Sequence, residues 1–126
     1  MEVLIKTNSQ EKPDLMTIKK HENDITYASI NVNIVELTDN TYEWDCLKLP
    51  EFALNNIHKA DEKTKYSVLV SHIIKAYYND NQMTAIMNNY LFDKENESYK
   101  NDFNNMQKVR TLAKNTAKEI IKQELI

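Results

Sequence analysis

Residues 66–91, YSVLVSHIIKAYYNDNQMTAIMNNYL, decide how this chain reads. Tyr66, Leu69, Val70, Ile73, Ile74 and Tyr77 recur at i, i+3, i+4, i+7, i+8 and i+11, a spacing that puts side chains on one helix face. Asn79, Asp80 and Asn81 interrupt that stripe with side chains that hydrogen-bond to the nearby backbone and so favour turns and N-caps. Met83, Ile86, Met87, Tyr90 and Leu91 then restart the same spacing. The pattern predicts two helices joined by a tight polar turn, with Asp80 or Asn81 capping the second. Full burial of such side chains contributes roughly 1.5–3 kcal/mol each before entropy is counted, so this pair is expected to be the densest part of the core.

Downstream, residues 93–98 form a charged break. From about Tyr99 onward Phe103, Met106, Val109, Ala113, Ala117, Ile120 and Ile121 keep a helical face. This last helix is expected to run roughly 25 residues, or about 37 Å at 1.5 Å per residue. That is longer than a small core can cover, so part of it is expected to meet another subunit.

Upstream, residues 25–37 alternate, with Ala28, Ile30, Val32 and Ile34 on one face and Ser29, Asn31 and Asn33 on the other, as in a half-buried strand. Thr38-Asp39-Asn40-Thr41 is a turn signal, after which Tyr42, Trp44 and Cys46 alternate against Glu43 and Asp45. A β-hairpin over 25–49 follows, with Trp44 packing beside the aliphatic face. Pro50 ends its second strand because proline cannot donate to a ladder. Phe52, Leu54 and Ile57 mark an irregular or short helical connection into Asp61-Glu62-Lys63-Thr64. A two-stranded hairpin is marginal in water, so it must gain a third strand, a helix or a second chain.

Residues 1–24 read as an N-terminal arm. Residues 1–6 could form a short strand, and 7–24 are polar around Pro13, with one weak apolar patch at Leu15, Met16 and Ile18. Such a segment is either a poorly ordered terminus or an arm that orders on a partner. The fold class is therefore α+β: an N-terminal β-hairpin or small antiparallel sheet, then a three-helix segment over about 62–126 with a long last helix. With 126 residues there is length for one domain, 25–126, beside the arm.

Composition narrows the chemistry. The chain contains no glycine, which removes the P-loop, the dinucleotide fingerprint and the nucleophile elbow, and leaves Asn and Asp to fill left-handed turn positions. A net charge of −3 gives no long-range pull toward nucleic acid or anionic lipid. Cys46 is the sole cysteine, so an intramolecular disulfide and a multi-thiolate zinc site are both excluded. Its alternation with Tyr42 and Trp44 reads as a packed thiol. His21, His58 and His72 are scattered, without the paired spacing of a helical metal site. No catalytic residue, cofactor or metal is expected. No apolar run approaches the ~20 residues of a membrane span, and 1–6 is too short and wrongly charged for a signal peptide, so a protein without a secretory route is expected.

Arg110, Lys114, Lys118 and Lys122 fall every four residues along the last helix, where their stems cover apolar surface and their heads suit its C-terminal end. Together with Tyr78, which falls outside the stripes, Arg110, Lys114 and Lys118 are candidate partner contacts, as are Leu15, Met16 and Ile18 of the arm. The four-cation row could also meet phosphates.

Three features together resemble small structural proteins of Bacteroidetes-infecting tailed phages and prophages, crAss-like phages included. They are Tyr42-Glu43-Trp44-Asp45 with Leu49-Pro50, then Tyr66, Leu69-Val70 and Ile73-Ile74-Lys75-Ala76-Tyr77-Tyr78-Asn79-Asp80-Asn81-Gln82-Met83-Thr84-Ala85-Ile86 on to Asn88-Asn89-Tyr90-Leu91, and Met106-Gln107-Lys108 with Arg110, Ala113 and Lys114. The likeness covers 39–118 and leaves the arm unmatched. It implies a non-enzymatic accessory virion component, part of a head or tail fibre or its adaptor, with other virion proteins as partners and the virion, or host cytoplasm during assembly, as location. A homodimer would complete the hairpin and cover the long helix. The alternative is a small phage regulatory or anti-defence module that binds a host protein or nucleic acid.

Overall fold

The computed structural model describes residues 3–22, 24–49 and 51–126. Strands β1 (Val3–Ser9), β2 (Met16–His21), β3 (Asp24–Glu36) and β4 (Tyr42–Lys48) precede helices α1 (Glu51–His58), α2 (Glu62–Tyr77), α3 (Asp80–Phe92) and α4 (Glu97–Lys122). The class is α+β, an antiparallel sheet followed by helices of which the last is long.

The β3–β4 hairpin pairs Ile30 with Leu47 and Glu36 with Tyr42 around a turn at Asn40, whose φ is 63°. Its flanks are filled from the same chain. The sheet order is β1-β4-β3-β2, with β1 antiparallel to β4 and β2 antiparallel to β3. The stretch expected as an arm, 1–24, thus supplies both edge strands in its described part. Only Met16 and Ile18 keep phase in β2, too few for a periodicity signal, and an edge strand with one exposed face needs no more. The register shifts twice, between Lys19 and Lys20 and between Val32 and Val35, and Asn33 sits in the second shift at φ 54°. Without glycine, the left-handed positions among the described residues fall to Asn33 and Asn40, as expected of asparagine, but also to Glu22 and Glu124.

β1 and β2 occupy opposite edges, about 14 Å apart at three strand spacings, so residues 10–15 must cross one face of the sheet. Asn31 ties them down. Its Nδ2 donates to the Asp14 carbonyl at 2.7 Å while its Oδ1 accepts from the Trp44 indole at 3.0 Å. Trp44 is therefore buried beneath this strap, outside the aliphatic core cluster, rather than beside it as expected.

The helices cover the other face. Asn55 of α1 accepts from Ile25 N–H at 2.8 Å and donates to Ile25 C=O at 3.3 Å, acting as a short mock strand beside β3. Leu54 and Ile57 of α1 enter the core, whereas Pro50 and the side chain of Phe52 lie outside the described residues. Asp61 caps α2 by accepting from Thr64 N–H at 2.8 Å, a bond that holds its carboxyl below the usual range. Tyr78 and Asn79 then break the helix with extended backbone, at φ/ψ of −140°/130° and −79°/170°. The cap of α3 is Asn79, not Asp80 or Asn81. It forms a capping box with Gln82, with bonds of 2.7 and 2.8 Å, while Asp80 becomes the first-turn acid. Asn96 caps α4, which spans 26 residues and ends in a Schellman turn at Glu124, with Leu125 N–H donating to Ile120 C=O at 3.0 Å.

α4 is the spine. α2 packs on its second half and α3 on its first, while α2 and α3 scarcely touch each other. The core lies where the sheet, α1, α2 and the end of α4 converge, and Ile25, Ile30, Leu47, Leu69, Ile73 and Ile120 are fully buried there. Ala113 and Ala117 let α2 come close. The expectation that 66–91 forms the densest core holds for α2 alone, because α3 has no buried residue. α3 packs on the first half of α4, away from the sheet.

Candidate interaction surfaces

The residues expected to meet partners part company. Met16 is 7% exposed and belongs to the core, with Leu15 and Ile18 partly buried against it, so that patch is already occupied by the fold. Tyr78 is half-buried at the α2–α3 corner. Arg110, Lys114 and Lys118 are exposed along α4. Two shallow clefts on the α2/α4 seam take up the cations at its ends. One, of about 500 Å³, is lined by Tyr66, Lys118, Ile121 and Lys122 among others. The second, of about 350 Å³, sits in the angle of α2, α3 and α4, with Val70, Ile74 and Met83 as its floor and Lys75, Asp80 and Arg110 on its rim.

A polar junction closes the top of the sheet. Tyr77, the last residue of α2, donates its hydroxyl to Asp45 Oδ2 at 2.8 Å, and Asn33 Nδ2 donates to both that carboxylate and the phenol oxygen at 3.0 Å. Burial first, then the bond to Asp45 and its charge, push the Tyr77 phenol far above its ordinary pKa. It stays a donor at any physiological pH, so the junction is a clamp joining α2 to the bulge at Asn33.

His58, at the end of α1, carries the one buried unpartnered polar side-chain atom found among the described residues, Nδ1. Burial lowers its pKa, and the charges of Lys20, Lys65 and Lys59 lower it further. Cys46 is a free, half-buried thiol. Among the described residues no group of three or more His, Cys, Asp or Glu could hold a metal ion, and no helix is long and apolar enough to cross a membrane.

Among the described residues, the most exposed large apolar side chains stand at the end of α3. Leu91 is 61% and Phe92 87% exposed, on the corner that leads through Asp93, Glu95 and Glu97 into α4. The corner is braced from behind by Tyr90 stacked on Phe103, with ring centroids 4.1 Å apart. The apolar spacing puts Leu91 on a buried stripe and gives Phe92 no place in it. The available signal was the adjacency of two large apolar residues to an acidic break, a pattern that a stripe reading absorbs.

No protein-family model, curated protein or solved structure matches this chain.

Proposed function

We propose that this chain is a non-enzymatic accessory component of a tailed-phage virion, part of a head or tail fibre or its adaptor, that acts through protein–protein contacts as a homodimer. The observation that carries contact as its mode of action is the Leu91–Phe92 corner, two adjacent large apolar side chains held in water where α3 turns into α4, backed by the Tyr90–Phe103 stack. The virion as setting is supported by the resemblance of 39–118 to structural proteins of such phages. In this reading its partners are other virion proteins and a second copy of itself, and it resides in the particle and, during assembly, in the host cytoplasm.

The test is compositional. Gradient-purified particles should contain the protein at fixed stoichiometry, and its synthesis should coincide with that of the other virion proteins. Expression soon after infection together with absence from particles would overturn the reading in favour of a regulator that binds a host protein or nucleic acid.

A further inference from the structure

Two features are unfinished in the single chain, and each has the shape and charge the other lacks. The α3–α4 corner projects Leu91 and Phe92 into water and follows them with the exposed acids Asp93 and Glu95. The cleft between α2, α3 and α4 has the apolar floor Val70, Ile74 and Met83, with Lys75 and Arg110 on its rim. Arg110 is the only arginine of the chain, it is exposed, and among the described residues it forms no ion pair.

We infer that this cleft receives the Leu91–Phe92 corner of a second copy, reciprocally, so that two chains exchange corners about a two-fold axis. The inference rests on the homodimer of the proposed function and assigns its surface. A chain cannot fill its own cleft, because Phe92 at the corner lies along α3 about 18 Å from Asp80 and about 14 Å from Met83 at the cleft, at 1.5 Å per residue. A two-fold axis relates the two contacts, so that the corner of each copy enters the cleft of the other. With the corner so seated, the acids Asp93 and Glu95 that follow it are the complement of Lys75 and Arg110 on the rim. Apolar anchors seated in a pocket, with opposite charges at the rim, are the usual anatomy of a self-complementary contact. A nucleic acid could engage Arg110 and Lys75, but it has no use for the apolar floor and is opposed by Asp80.

The experiment is sedimentation of the full chain at micromolar concentration with a thermal melt of each variant. The wild type should be a dimer. Phe92→Asp should weaken dimerisation at least about thirtyfold, and Arg110→Glu should weaken it in the same direction, both with unchanged monomer secondary structure because both side chains are exposed. Combining Arg110→Glu with Glu95→Arg should restore dimerisation relative to Arg110→Glu alone. A wild-type dimer that survives Phe92→Asp would overturn this surface while leaving the homodimer intact. A monomeric wild type would overturn both, and a charge swap that restores nothing would overturn the pairing of corner and cleft.

Discussion

α2 and α3 carry the same apolar spacing, follow one another in the chain and lie along the same partner, α4, yet one is core and the other is surface. α2 is covered on several sides, by α1, β1 and the Ala113–Ala117 face of α4, and buries Leu69 and Ile73 completely. α3 packs chiefly on α4, and Met83, Ile86, Met87 and Tyr90 are only half-buried on it. Periodicity therefore says which side chains share a face. It is silent on how many other elements reach that face, which is what sets the burial and the stabilisation drawn from it.

The contrast can be broken most directly by truncation. Ile73→Ala should cost about 2–5 kcal/mol in urea unfolding, and Ile86→Ala less than about 1 kcal/mol. Equal losses would mean that α3 is as deeply packed as α2. Next in size is the polar link beneath the strap. Asn31→Ala leaves the Trp44 indole and the Asp14 carbonyl without their partner and should cost about 1–3 kcal/mol, with a shift in tryptophan fluorescence. Asn79→Ala removes the capping box and should cost about 1 kcal/mol, with amide exchange rising in α3 while α2 keeps its protection. Exchange that rises equally in both would show that they unfold as one unit.

The smallest effect concerns pH at the sheet end. The folded-state pKa of His58 lies below its ordinary value, so as pH falls below about 6.5 the unfolded chain binds the proton first and stability declines until the folded value is reached. The Tm of the wild type should accordingly drop more between pH 7 and pH 5 than that of His58→Gln. Identical slopes would remove His58 from the account.

Much of the fold was legible because its signals are local. The hairpin turn at Asn40, the interruption between α2 and α3, the break before α4 and the length of α4 are each written in residues that touch their sequence neighbours. The expected cap of α3, Asp80 or Asn81, falls one or two residues beyond the actual one because all three residues suit the position, and only the reciprocal Gln82 bond selects Asn79. Of the edge strands, β1 overlaps the short strand expected over 1–6, whereas β2 left no signal, because both draw their order from pairing with β4 and β3, across separations that no local window spans. Of the contact residues, Arg110, Lys114 and Lys118 proved exposed, since a charged helix flank is a local property. Met16 did not, since an isolated apolar residue reads the same on a surface arm as on a strand facing the core.

The order of the hairpin strands and the three helices after them, the lack of any glycine-dependent phosphate or nucleophile motif, and the faces of the helices follow from residue chemistry over a few turns or strands. Which faces are covered was decided only by the three-dimensional arrangement. The strap over Trp44, the clamp of Tyr77 on Asp45 and Asn33, and the exposure of Leu91 and Phe92 join or separate residues tens of positions apart. Burial is a property of neighbours in space, and in this chain those neighbours come from both ends of the sequence.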